Sequence, residues 1–164
     1  MKFDNLKIVP VDEIPKAQDT PLDNLMTLFR LCTKMEKVCD ENQGIGLAAV
    51  QVGVPWKLFI VKRNRRYEYY VNCDYSGIGD KTKSVEGCLS LTNADGSMRR
   101  FEVDRFLKIK LTGKELVVSG APSLLLHDVD RSEDDMYAVV FQHEIDHCKD
   151  TLISNVGREL EFLS

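Results

Sequence analysis

The chain has 164 residues, of which 43% are hydrophobic and 29% charged, with a net charge of −4 at pH 7. This length and composition predict one globular domain over residues 1–164. The charge offers no footprint for specific nucleic-acid binding, and no segment is long and apolar enough to span a membrane. Five irregularly spaced cysteines and an N-terminus without a targeting signal predict a cytoplasmic protein.

The first regular element is predicted to be an amphipathic helix. Thr20 is a candidate N-cap, Pro21 suits the first helical position, and the apolar spacing continues to about Glu41. Apolar runs over residues 57–61 and 67–71 then predict two short strands.

The middle of the chain gives weaker signals. Residues 73–106 look loop-rich, which in a compact domain often indicates function. Leu107 to Leu111 alternate between apolar and polar residues and predict a strand. Residues 112–114 predict a turn, and residues 115–119 the returning strand of a hairpin.

A second helix is predicted from Met136 to His147. Ser132 and Asp135 have the spacing of a capping box before it. Its apolar residues cover most of the helix surface, which indicates a buried helix. Polar side chains on such a helix need partners, because unpaired polar groups are costly inside a protein.

This helix contains the sequence H-E-x-x-H. His143 and His147 lie four residues apart, on one helical face, and can bind one metal ion together. Glu144 lies beside that position, where it can take a proton from water. By itself the motif is of moderate specificity, since two histidines and a glutamate can also occur by chance on a polar helix face.

The motif does not identify a third ligand. Glu159 and Glu161 follow it, as downstream carboxylates do in many zinc proteases. Cys88, in E-G-C-L-S, is the better candidate, because a thiolate with two histidines leaves one position open for water. Cys148 is discounted, because it points about 100° away from His147 around the helix.

Residues 44–51 read G-I-G-L-A-A-V-Q. They match a loose dinucleotide-binding fingerprint, but a helix precedes them instead of a strand, and the region about 20 residues later is basic instead of acidic. The glycines are better explained as letting the backbone run close to a ligand.

The segments G-I-G-L-A-A-V-Q, E-G-C-L-S and Q-H-E-I-D-H together resemble the three motifs of peptide deformylases, in the same order. This family removes the N-terminal formyl group of nascent proteins and releases formate. The resemblance implies an α+β fold in which antiparallel sheets surround a central helix that carries H-E-x-x-H.

The resemblance also implies roles for individual residues. Cys88, His143 and His147 would bind the metal, and Glu144 would be the general acid and base. The Gln51 amide and the Leu89 backbone N–H would donate to the oxyanion. Ferrous iron is the metal that the family implies, and zinc or nickel are alternatives.

The implied substrate is an N-formylmethionyl peptide or nascent chain, with the ribosome as a possible partner and the protein acting as a monomer. Ile45 and Gly46 would pair with its backbone. Val139 and Val140, with Ile45, would form an apolar wall for the methionine, and Arg100 would lie near the substrate.

Three further residues are expected to support the site. Glu86 and Arg105 are candidates for an ion pair near Cys88, although a surface position for Arg105 stays open. Asp146 would orient a histidine or cap a neighbouring segment.

The chain departs from the family in one region. Thr92 stands where these enzymes usually have proline, and the segment 91–104 is longer than usual. These differences affect the expected cleft and leave two alternatives open. One is a metalloprotease, which rests on H-E-x-x-H alone, and the other is a catalytically silent deformylase-like binding protein, which rests on the altered cleft.

Overall fold

A computed structural model describes residues 2–120 and 123–161. Its helices are α1 (Leu25–Glu41), α2 (Asp135–Cys148) and α3 (Ile153–Val156). Its strands are β1 (Gly46–Ala48), β2 (Leu58–Arg63), β3 (Arg66–Gly77), β4 (Lys81–Thr92), β5 (Met98–Phe106), β6 (Lys108–Ser119), β7 (Ser123–Asp134) and β8 (Arg158–Leu160). Within this part of the chain, no helix is long and apolar enough to cross a membrane.

The strands of the described residues form two antiparallel sheets. One has the order β1-β2-β3-β6-β7, and the other the order β4-β5-β8. The predicted α+β class with antiparallel sheets is therefore confirmed. The single domain over residues 1–164 stays a prediction.

Helix α1 packs its apolar face on the larger sheet. Its buried side chains include Leu31, Cys32 and Met35, which share a core cluster with Leu58 and Ile60 of β2. The predicted end of the helix, near Glu41, is correct.

The predicted start of α1 is wrong. Asn24 is the N-cap, and its side chain accepts a hydrogen bond from the backbone N–H of Thr27 at 3.1 Å. Thr20 is buried, and its backbone N–H donates to the Asn72 side chain at 2.8 Å. Thr20, which the local sequence pattern predicted as the N-cap, is therefore engaged in a long-range hydrogen bond with Asn72 instead.

Helix α2 contacts strands of both sheets. Phe141 packs edge-on against the rings of Phe59 and Tyr70, and Ile145 lies in the same cluster. The helix begins at Asp135, and Ser132 belongs to β7, so the predicted capping box is wrong. The buried apolar face explains why α2 holds its few polar side chains in fixed positions.

Two predictions about the middle of the chain are also wrong. Residues 73–106 are mostly strand, since they hold the end of β3 and the whole of β4 and β5. The turn predicted at residues 112–114 is absent, because β6 continues to Ser119 and its hairpin partner is β7. Gly113 instead lies at an irregularity between β3 and β6, with φ +139, where a Cβ would lie 2.6 Å from the Cys73 Cα.

One irregularity shapes the functional site. Gly87 pairs with Arg100 and Thr92 pairs with Met98, so residues 88–91 of β4 face only Arg99 of β5. Bulges of this kind bend a strand and redirect its side chains. Cys88 is the first residue of the bulge.

Candidate metal centre and active site

The structure brings Cys88, His143 and His147 together. The three side chains each offer one ligand atom, and these atoms all lie within 4.8 Å of one another. The Cys88 Sγ atom is 3.6 Å from the His147 Nε2 atom. The other candidate ligands, Glu159 and Glu161, are exposed, and Glu159 binds Arg99 at 2.7 Å.

The spacing of Cys88 and His147 matches that of two ligands on a tetrahedral metal ion. With metal–sulfur and metal–nitrogen bonds of about 2.3 and 2.0–2.1 Å, tetrahedral geometry places the sulfur and a nitrogen about 3.6 Å apart. The distance from Cys88 Sγ to His147 Nε2 equals that separation. The bulge in β4 explains how a strand residue reaches two histidines on a helix.

A charged network orients His143. Its Nδ1 atom is 2.9 Å from Glu86, which leaves Nε2 for a ligand bond. Glu86 accepts two hydrogen bonds from Arg105, at 2.8 and 2.9 Å. Burial opposes ionisation of Glu86, but hydrogen bonds from His143 and Arg105 outweigh it and lower the pKa of its carboxyl to about 2. Metal-binding histidines commonly hold such a carboxylate on their second nitrogen.

Asp146 completes this network but does not bind a histidine. It accepts hydrogen bonds from Arg105 at 2.6 Å and from the Tyr75 hydroxyl at 3.2 Å. The expectation that Asp146 orients a histidine is therefore not met, because Glu86 holds that position. Arg105 is 3% exposed, so its alternative placement on the surface is wrong, and the expected ion pair with Glu86 is present.

Glu144 lines the same cavity as Cys88 and His143, and one of its carboxylate oxygens is unused. Its Oε2 atom is buried and has no hydrogen-bond partner among residues 2–120 and 123–161. Leaving such an oxygen unpaired is costly, so this position suits a water molecule. Burial raises the pKa of the Glu144 carboxyl to about 7. A Cβ at Gly46 would lie 3.1 Å from the Glu144 Cδ, so a side chain there would crowd the carboxylate.

Gln51 is held against the ligand strand. Its Nε2 atom donates to the Ser90 hydroxyl at 2.9 Å and to the Cys88 Sγ at 3.4 Å. Its Oε1 atom accepts from the Ala48 backbone N–H at 3.0 Å. Both amide hydrogens are thus directed at β4, and one must leave its partner before it can reach an oxyanion.

A cavity of about 270 Å³ opens beside the ligands. Four of the predicted substrate-binding residues line it: Ile45, Gly46, Val139 and Val140. Arg100 does not line it and is exposed on β5, opposite Gly87. Leu89, which follows Cys88 in the bulge, also lines the cavity, as its predicted role requires.

Sequence reasoning missed part of the cavity wall. Gln43, Gly44, Gly87 and Met98 also line it. The two glycines lie inside or beside the recognised motifs and could have been inferred from them. Met98 has no motif around it, and its position depends on the β4–β5 pairing.

The family model for polypeptide deformylase matches residues 7–161. The chain belongs to this family. Its members are hydrolases that depend on a metal ion and remove the N-terminal formyl group of nascent peptides. The predicted family and class of enzyme are confirmed, while the roles of individual residues stay predictions.

Individual relatives agree with this assignment. The peptide deformylase of Hyphomonas neptunium is 34% identical over 115 residues, which are 66% of this chain and 58% of that protein. The peptide deformylase of Desulfotalea psychrophila is 32% identical over 143 residues, with 81% of this chain and 77% of that protein covered.

Solved structures show the same fold. A probable peptide deformylase from Synechococcus phage S-SSM7 has a TM-score of 0.74 and 25% identity, covering 93% of this chain and 99% of that one. The peptide deformylase of Acinetobacter baumannii bound to Met-Ala-Ser has a TM-score of 0.71 and 21% identity, covering 92% and 97%.

Proposed function

We propose that this deformylase-family chain removes the formyl group from formylmethionyl peptides, using one divalent metal ion held by Cys88, His143 and His147. The observation that carries the proposal is the position of Glu144, whose buried carboxylate has an unpaired oxygen and lines the same apolar cavity as Cys88 and His143. An apolar cavity with a few convergent polar groups is typical of a small-substrate site.

We propose ferrous iron as the ion, on the family resemblance, with zinc and nickel as alternatives. One thiolate and two imidazoles can bind any of the three, and ferrous iron is generally the weakest of them with such ligands. When bound, the ion supplies Lewis-acid activation of water and of the formyl oxygen.

The chain's own residues would then move the proton. Glu144 accepts one proton from the attacking water while the oxygen adds to the formyl carbon. The carbon–nitrogen bond breaks, and Glu144 returns that proton to the leaving amine. The products are formate and a peptide with a free N-terminus, so the atoms of one water molecule are divided between them.

Two donors would stabilise the formyl oxygen as it gains negative charge. The Leu89 N–H lies in the β4 bulge, outside the regular pairing with β5. Gln51 can donate an amide hydrogen once that hydrogen leaves Ser90. Loss of one such donor costs about 2.7–4 kcal/mol in the barrier of comparable reactions.

The peptide would bind as an extended strand. Ile45 and Gly46 border the cavity at β1 and can pair with its backbone. The methionine side chain would enter the cavity against Val139 and Val140 of α2. Arg100, opposite Gly87 in the β4–β5 ladder, would lie at the rim.

We also propose that the protein acts as a monomer on nascent chains close to the ribosome, in the cytoplasm. All five cysteines are free and buried, which supports a reducing compartment.

A formate assay tests the proposed activity. Protein loaded with ferrous iron without air should release formate from formyl-Met-Ala-Ser and leave acetyl-Met-Ala-Ser intact. Air is excluded because oxygen can oxidise a cysteine thiolate. Cleavage of internal peptide bonds would instead favour the metalloprotease, and binding of the formyl peptide without formate release would favour the silent binding protein.

A further inference from the structure

Met98 closes one side of the cavity and comes from the segment in which the chain departs from the family. It is the first residue of β5 and is half-buried. The chain reaches it through a tight turn, in which the Asn93 N–H donates to the Ser97 carbonyl at 2.7 Å and Gly96 has φ +87. The longer 91–104 segment therefore contributes part of the substrate wall.

The side chain of Met98 lies directly over Gly87. A Cβ built on Gly87 would lie 2.0 Å from the Met98 Sδ and 2.6 Å from its Cγ. Met98 thus fills the space that a side chain at position 87 would occupy. The Met98 thioether therefore lies against the residue that directly precedes Cys88, the proposed metal ligand.

The sheet geometry explains this placement. Met98 and Arg100 are two residues apart on β5, so their side chains lie on the same face. Gly87 pairs with Arg100 and has no side chain on that face. The bare strand lets Met98 lie across it and reach the cavity.

An extended peptide in the cavity would present its side chains alternately to opposite sides. If the first side chain lies against Val139 and Val140 of α2, the second is turned away from α2. Met98 comes from β5 of the smaller sheet, whereas Val139 and Val140 come from α2, and all three line the cavity.

We propose that Met98 sets the preference for the second residue of the peptide and favours an apolar side chain there. This inference rests on the proposed function. A methionine side chain is flexible and polarizable, so it packs against apolar groups of several shapes. A charged side chain at this position would lose water without gaining a partner from the thioether.

The test compares kcat/KM for formyl-Met-Leu-Ser with that for formyl-Met-Asp-Ser. The wild type should favour leucine, and Met98→Ala should reduce that ratio by about threefold to tenfold, as expected for loss of part of an apolar contact. Met98→Leu should keep the ratio. Met26→Ala is the matched control, because Met26 is an exposed methionine on α1, and its ratio should equal the wild type's.

Other outcomes would overturn the inference. These are an unchanged ratio in Met98→Ala, a ratio that falls only in Arg100→Ala, or a change confined to the first residue, measured with formyl-Leu-Ala-Ser against formyl-Met-Ala-Ser. Absence of formate release from every peptide would instead overturn the proposed function. The affinities of Met-Leu-Ser and Met-Asp-Ser, measured by calorimetry in wild type and Met98→Ala, test the role of Met98 without turnover.

Discussion

Two ion-pair networks lie against opposite halves of α2. The ligand network consists of Glu86, Arg105, Asp146 and His143, near the C-terminal half of the helix. The hairpin network consists of Arg63, Glu68, Glu133, Arg131 and Tyr70, and the Arg63 guanidinium lies over the rings of Tyr137 and Phe141 on the N-terminal half. Both contain an arginine that donates two hydrogen bonds to one glutamate.

The two networks differ in whether every member pairs only with other members of the network. In the hairpin network the charged groups pair with one another, since Glu133 accepts from both Arg63 and Arg131. The ligand network ends at His143, which uses one ring nitrogen for Glu86 and has the other beside Cys88 and His147. Ion-pair networks alone are therefore weak evidence for function, because purely structural networks also occur. A metal site is indicated when a residue of such a network has a second atom that can bind a metal and that lies next to other candidate ligand atoms.

The largest effect on activity is expected from a substitution of Glu144, the neighbour of His143 in the chain. Glu144→Gln should lower kcat by about 100-fold to 10,000-fold, the usual contribution of a positioned acid or base. Metal content should stay at the wild-type value, because Glu144 is not a ligand. Formate release and elemental analysis on the same samples check both statements. Glu13→Gln, at an exposed glutamate, is the matched control, and full activity of Glu144→Gln would sink the mechanism.

The arginines of the two networks give the next largest effect. Arg105→Met leaves the buried Glu86 and the partly buried Asp146 without their arginine and should lower the free energy of unfolding by about 3–5 kcal/mol. Arg63→Met should cost less, since the Arg63 side chain is 24% exposed and Glu133 keeps Arg131.

Denaturant unfolding of both arginine variants measures these losses, and metal titration separates the networks. Only Arg105→Met should weaken metal binding, because only Arg105 holds the carboxylate that orients His143. Equal loss of metal affinity in Arg63→Met would remove the distinction between the networks.

The two glutamates sharpen the same comparison. Glu86→Gln should weaken metal affinity by about tenfold to 100-fold, as is typical when the group that orients a ligand is changed. Glu133→Gln should leave metal affinity unchanged, although it perturbs a similar arginine pair. Competition with a chelator of known affinity measures both variants, and an unchanged affinity in Glu86→Gln would contradict the proposed orientation of His143.

The smallest effect is expected at Ser90. Ser90→Ala removes one neutral hydrogen bond to Gln51 and should lower the free energy of unfolding by about 0.5–1.5 kcal/mol. If Gln51 donates to the oxyanion, kcat should not fall, because its amide hydrogen no longer has to break a hydrogen bond to Ser90 first. A fall in kcat of more than tenfold would indicate that Ser90 positions Gln51.

Features that depend on local spacing were predictable from the sequence. The helix that carries His143 and His147 follows from apolar periodicity, and the position of Glu144 between them follows from helix geometry. The end of α1 near Glu41 is set by the glycine-containing segment that follows. Cys88 was predicted as the third ligand from thiolate chemistry and from the ordered motifs, and its proximity to the histidines is visible only in the fold.

Features set by long-range pairing were not predictable. Gly113 resembles a turn residue, yet it lies within β6, where close approach of Cys73 excludes a side chain. Strands β4 and β5 carry many polar residues, so their sequences lack the apolar runs by which strands are recognised. Met98 enters the cavity only because a bulge shifts the register between those two strands.

The most direct test of the central claim is the metal content of chains purified and loaded without air. Three-ligand binding predicts one ion per chain in the wild type and in Glu144→Gln, and strongly reduced content in Cys88→Ala. Cys148→Ala serves as the matched control, because Cys148 is also a buried cysteine, lies on α2 and is not among the candidate ligands, and this variant should keep one ion. One ion per chain in Cys88→Ala, bound as tightly as in the wild type, would contradict the account.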